Sequence, residues 1–156
     1  MKFKRIITLL ILSVFLFTFT ACSSTDNGYF EGLEWGMSLN EVNNSTDRLL
    51  VATSDGNARS DDDKPIEDIE CESIAVISVD YIFTGDKLCE VVVNAEPAPG
   101  YHSLDVLEEL RTIFSNKYTF KDEEANSYRF ETPTSIIAAT VFDSRIIITY
   151  SLNEKK

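Results

Sequence analysis

The chain has 156 residues, with 14 basic and 26 acidic side chains, a formal net charge of −12, one histidine and three cysteines. That acidic balance excludes a nucleic-acid surface of the usual kind, whose affinity comes from neutralising phosphates, and it opposes electrostatic adhesion to anionic lipid headgroups. One histidine without a thiolate cluster excludes the common zinc patterns, and the sequence has neither a nucleophile elbow nor a glycine-rich phosphate loop.

The N-terminus opens with basic Met1-Lys2-Phe3-Lys4-Arg5 and continues with an apolar run from Ile6 to Thr20, closed by Phe19-Thr20-Ala21-Cys22. Basic start, apolar run and small residue before a cut are the parts of a secretory signal. The run is about fifteen residues, short of the roughly 20 a spanning helix needs. With Cys22 directly after Ala21, the segment resembles the signal peptide of bacterial lipoproteins. The resemblance implies cleavage after residue 21 and a lipidated Cys22, carrying a thioether-linked diacylglyceryl group and often an amide-linked acyl chain. Two or more chains anchor a protein stably where one binds only marginally. An uncleaved membrane anchor and ordinary secretion are the alternatives. Residues 22–28, rich in small polar side chains, are expected to form a flexible tether. Without residues 1–21 the chain keeps 11 basic and 26 acidic side chains, a formal charge of −15, on a length suited to one domain.

That domain is expected over 29–152. Tyr29, Phe30 and Trp35 lie in an aromatic stretch and are the candidate partner-contact residues, because aromatic side chains anchor interfaces; the competing role for Trp35 is core packing at a helix entry. Ser38 and Glu41 have capping-box spacing, and Met37 with Val42 has that of a hydrophobic staple, so a short helix is predicted from Leu39. Trp35-Gly36-Met37-Ser38 and Glu41-Val42, behind a lipoprotein start, resemble small bacterial envelope domains: outer-membrane assembly lipoproteins of the SmpA/OmlA type and beta-lactamase-inhibitor-like domains. The resemblance implies a short helix ahead of an antiparallel sheet, and an assembly role.

Arg48 to Thr53 reads as a short strand. Residues 54–72 follow, with eight carboxylates against Arg59 and Lys64, and read as a solvated, mobile acidic loop. Calcium favours several carboxylates, but Asp61-Asp62-Asp63 are adjacent, without EF-hand alternation.

Ile74–Phe83 and Leu88–Ala95 alternate as a hairpin. Pairing Phe83 with Cys89, Tyr81 with Val91, Val79 with Val93 and Ile77 with Ala95 aligns the apolar faces, which predicts an odd-numbered loop at Gly85-Asp86-Lys87. Cys89 then points into the core as a small buried residue. Two cysteines in an exported protein suggest one disulfide, but Cys71 lies twelve residues before Phe83, roughly 40 Å along a straight strand, so the bond requires the segment around Cys71 to fold back. Ser103 is the expected N-cap of a helix over 104–117 whose apolar stripe is Val106, Leu107, Leu110, Ile113 and Phe114. His102 beside it reads as a surface residue. Ser127–Thr132 is a predicted strand, and Ile136–Phe142 with Arg145–Leu152 a second hairpin about Asp143-Ser144, pairing Val141 with Ile146, Ala139 with Ile148 and Ile137 with Tyr150. Residues 153–156 form a tail.

The expected fold is therefore α+β, a single antiparallel sheet of about five strands with two helices packed on one face, in the order α-β-β-α-β-β-β. The expected function is a lipid-anchored extracytoplasmic binding or interaction domain of the bacterial envelope. The expectation is a non-enzyme without cofactor or metal, attached to the membrane through lipid on Cys22, with an unidentified protein as its candidate partner and no nucleic-acid binding. The alternatives are a structural or assembly lipoprotein and a small hydrolase built on two carboxylates.

Overall fold

Alternation of apolar and polar residues dominates the second half of the chain, and the computed structural model, which describes residues 27–154, turns it into sheet. A 3-10 turn at Phe30–Gly32 precedes helix α1 (Leu39–Ser45) and strands β1 (Val51–Ala52), β2 (Ala58–Ser60), β3 (Ile74–Thr84) and β4 (Lys87–Pro97). Helix α2 (Ser103–Lys117) follows, then β5 (Thr119–Glu124), β6 (Ser127–Glu131), β7 (Ser135–Phe142) and β8 (Arg145–Leu152). The strands form one eight-stranded sheet, ordered β1-β2-β3-β4-β8-β7-β6-β5, with every neighbouring pair antiparallel.

Eight strands replace the expected five or so. β1 is only two residues long, and β2 lies inside the acidic stretch, where Ala58 and Ser60 are small enough to be buried without an apolar signature. β5, Thr119-Phe120-Lys121-Asp122-Glu123-Glu124, is mostly charged and carries no buried residue. It is an edge strand held by pairing with β6, and charge on an edge discourages further pairing. The expected two helices over one face are also corrected. α2 packs across β4 to β8 through Val106, Leu107, Leu110 and Phe114. α1 has seven residues, buries only Val42 and makes no comparably broad contact with a strand.

α1 begins at Leu39 behind a complete capping box: the Glu41 amide donates to Ser38 Oγ, and the Ser38 amide donates to the Glu41 carboxylate at 2.8 Å. α2 starts one residue earlier than predicted, with His102 at the N-cap and no side-chain cap. The β7–β8 hairpin has the predicted register throughout, Val141 opposite Ile146, Ala139 opposite Ile148 and Ile137 opposite Tyr150.

The β3–β4 hairpin agrees in its middle, where Tyr81 faces Val91 and Val79 faces Val93, and departs at both ends. Gly85 and Asp86 have φ of 58° and 62°, the pair of positive values a two-residue turn of type I′ needs. Phe83 therefore faces Leu88, and a bulge absorbs Cys89. Leu88, not Cys89, is buried; its amide donates to the Met37 carbonyl and its carbonyl accepts from the Gly36 amide, both at 2.8 Å. The Cys89 thiol lies half-buried against Ile82 O and Thr84 Oγ1. A second irregularity, between Val76 and Ser78, puts Val76 opposite Ala95 and leaves Ile77 42% exposed. Cys71 and Cys89 are both free thiols.

The core fills the space between α2 and the sheet. Phe114 and Phe130 meet edge to face at 5.5 Å, as do Phe30 and Tyr150 at 5.3 Å, the arrangement aromatic quadrupoles favour. Both termini of the domain are tied down further than expected. Thr132 Oγ1 donates to Asn27 O at 2.7 Å, and Gly28 is buried with φ 73°, where a Cβ would lie 2.7 Å from Thr132 Cγ2. Asn27 and Gly28 thus belong to the domain rather than to a tether. Asn153 belongs to it as well: it is buried, and its amide donates to Thr132 O and to Glu131 at 3.0 Å each.

Candidate functional site

Cys22, the expected lipidation residue, lies outside the described residues. The three aromatic candidates separate. Phe30 is fully buried between Tyr81 and Tyr150, so it packs the core and is corrected as a contact residue. Trp35 is half-buried, its indole N–H donates to Ser135 Oγ at 2.9 Å, and its ring meets Tyr29 edge to face at 6.2 Å. Tyr29 and Trp35 thereby cover the turn between β6 and β7, where Asn27 is also held, and the three aromatics form no common surface.

The acidic stretch is more ordered than expected, and the cause is Arg48. Its side chain is 2% exposed and it is paired on all sides. Nε and Nη2 donate to the two oxygens of Glu31 at 3.0 and 2.8 Å, Nη1 donates to Asp62 Oδ1 at 2.5 Å, and Nη2 also reaches Lys64 O and Pro65 O. A planar guanidinium suits this forked arrangement in a way an ammonium does not. Burial by itself lowers the Arg48 pKa, but the hydrogen bond and charge of Glu31 and the charge of Asp62 outweigh it, so the group is held more firmly protonated. Burial likewise pushes Asp62 up, while the Ser60 hydroxyl, Arg48 and Lys64 together bring it below its ordinary value. Glu31 has a left-handed backbone, φ 46°, uncommon for a residue with a side chain and kept only where its surroundings demand it. Its amide donates to Asp68 Oδ2 at 2.7 Å while its carboxylate holds Arg48. Ile66 and Ile69 complete the anchoring by entering the core.

This anchoring opens a gap at the sheet. β2 ends at Ser60, opposite Val79. Beyond it the chain turns away toward Arg48 instead of continuing along β3. Among the described residues, Ile74–Ser78 therefore has β4 on one side and no strand on the other. A groove of about 800 Å³ lies here, between the loop, the start of β3 and α2. Its apolar wall comes from Ile66, Ile69, Ile74 and Val76, and its carboxylates are Asp63, Glu67, Glu70, Glu72 and Glu109; among the described residues no Lys or Arg lines it. Ser73 Oγ donates to Glu109 at 2.5 Å and lies 3.1 Å from the Cys71 sulfur. Burial raises the Cys71 pKa, with the Glu109 charge acting in the same direction against the hydrogen bonds of Ser73. This keeps the thiol protonated and a poor nucleophile.

Sequence reasoning missed both Arg48 and the groove. Arg48 is one basic residue ahead of Leu49-Leu50, without a periodic signal, and its partners lie 14 and 17 positions away. A glycosidase-like acid would need a raised carboxyl pKa. Here Glu41 and Asp55 are lowered, by hydrogen bonds from Ser38 and from Thr53 and Asn57 respectively, and Asp62 is lowered too. No group of three or more His, Cys, Asp or Glu that could hold a metal occurs among the described residues. His102 is exposed. The capping box is a general helix start, so it carries no function by itself. Compared with known proteins, the chain matches no family model, no curated protein and no solved structure.

Proposed function

We propose that the chain is a lipid-anchored, extracytoplasmic binding domain of the bacterial cell envelope, attached through acyl chains on Cys22. The observation that carries this reading is the N-terminal order of basic start, apolar run and Phe19-Thr20-Ala21-Cys22. The pinned Asn27 gives the anchor a geometric consequence. Five Cα steps separate it from Cys22, a reach of at most about 18 Å. Lipid on Cys22 therefore keeps the β6–β7 turn close to the headgroups. With a formal charge of −15 after cleavage, the domain has little electrostatic attraction of its own for an anionic bilayer. The acidic groove beside β3 supplies the binding surface of this reading.

The test is metabolic labelling with a fatty-acid probe in a bacterial host, followed by membrane fractionation. Wild type should be labelled and sediment with membranes, whereas Cys22→Ala should be unlabelled. Equal labelling of the two removes the anchor.

A further inference from the structure

We infer that the groove beside β3 receives an extended, basic polypeptide segment, which adds to the sheet as a strand along Ile74–Ser78. The inference deepens the reading of the chain as a binding domain by naming the chemistry of its partner.

Three observations converge on it. First, among the described residues the open length of β3 is flanked by β4 alone. An antiparallel strand has backbone donors and acceptors on both edges, so the outer edge there is free to pair with another chain. The groove reaches Ile74, Ala75 and Val76; the strip on to Ser78 is roughly 16 Å at about 3.3 Å per residue, with the irregularity between Val76 and Ser78 near its end. Strand addition is a recurring mode of peptide recognition, with backbone bonds for affinity and side-chain pockets for specificity.

Second, the space beside that edge is kept open by construction. A longer β2 would occupy it, but Asp62 and the carbonyls of Lys64 and Pro65 are drawn to Arg48. Ile66 and Ile69 fix the far wall by inserting into the core. The groove thus has two anchored sides, and Ile74, Ala75 and Tyr101, which are not buried, give its lining apolar surface for side chains of an added strand.

Third, charge selects the occupant. Asp63, Glu67, Glu70, Glu72 and Glu109 line the groove, with no basic residue among the described residues of its lining. An acidic segment would meet repulsion along its length, whereas lysine or arginine side chains would pair with the carboxylate rim. Such complementarity raises association rates and excludes wrong partners.

The probe is a ten-residue peptide of alternating lysine and valine, labelled for fluorescence anisotropy and titrated into the full chain in mild detergent. Four comparisons decide the matter. A glutamate–valine peptide of equal length should not bind. Glu67→Lys/Glu70→Lys should weaken binding about tenfold or more, whereas Glu123→Lys/Glu124→Lys, at the opposite edge of the sheet, should leave it within about twofold. N-methylation of the peptide at alternate residues should abolish binding in one parity and spare the other, because only every second amide of an added strand faces the sheet. Cys22→Ala should bind like wild type, which separates the groove from the anchor: lost labelling with retained peptide binding removes the lipid and leaves the groove. Equal effects of the two charge-reversal pairs, or equal tolerance of both methylation parities, would overturn strand addition and reduce the contact to attraction toward an acidic surface. No binding of the lysine–valine peptide would assign the loop to guarding the edge against pairing.

Discussion

On the β4–β8 side of the sheet, α2 lays four buried apolar residues across five strands, and the ladders are long. On the β1–β2 side the strands are two and three residues long, and the chain around them is held by one guanidinium and its oxygen partners, with Ile66 and Ile69 as apolar pins. The two sides teach different lessons about order. Apolar packing is nondirectional and spread over many contacts, so it tolerates the loss of any one polar group. A buried charge network places chain segments specifically but concentrates its stabilisation in a few atoms, so removing one partner strands the others. The groove sits where the second mode replaces the first.

The largest expected effect comes from breaking the packed side. Phe130, fully buried between Phe114 and Phe120, should cost about 3–5 kcal/mol on replacement by Ala. Chemical denaturation should show the loss as a cooperative shift in midpoint. A cost below about 1 kcal/mol would mean that this side is not the main source of stability.

Arg48→Met comes next. It leaves Glu31 and Asp62 without their cation, but Asp62, with a side chain 19% exposed, can relax outward with its loop. The expected cost is about 2 kcal/mol, less than for a fully buried pair. It should appear as faster hydrogen exchange across residues 61–73 with the exchange of α2 and β7–β8 little changed. Uniform acceleration throughout would dissolve the distinction between the two sides.

Acid should loosen the same region more gently. The folded pKa of Asp62 lies below its ordinary value of 3.8, so ionised Asp62 contributes stability that is fully present above that value. The contribution is lost as pH falls through the folded pKa. Hydrogen exchange followed from about pH 5 down to pH 2 should lose protection at 61–73 before it does so in α2. Loop protection that increased on acidification would reverse the sign assigned to Asp62.

Calcium should do least. Asp62 is engaged with Arg48, and its neighbours lack alternating spacing. Melting should shift by less than about 2 °C at matched ionic strength, where a real site at a hundredfold excess over Kd would add about 2.7 kcal/mol and several degrees. A calcium-specific shift of about 5 °C or more would turn the loop from anchored wall into metal site.

Where a segment's structure follows from its own neighbours in sequence, it was legible. Ser38 and Glu41 announce α1, the stripe Val106-Leu107-Leu110-Phe114 announces α2, and unbroken alternation sets the whole β7–β8 register, because a slip of one residue would turn every apolar side chain to water. The tertiary structure decided the rest. Leu88 is buried because Gly36 and Met37 pair with it, so the bulge falls on Cys89; β2 and β5 form because a sheet edge was there to receive short or charged segments; and Phe30 is core because Tyr81 and Tyr150 close over it. Arg48 and the groove belong to this second class. Glu31, Asp62 and the carbonyls of Lys64 and Pro65 converge on one guanidinium only after the chain has folded back, and burial of that charge depends on all of them being present together. Local pattern therefore determined the elements and their faces, whereas long-range polar pairing, which leaves no periodic trace, determined where the sheet edge stays open.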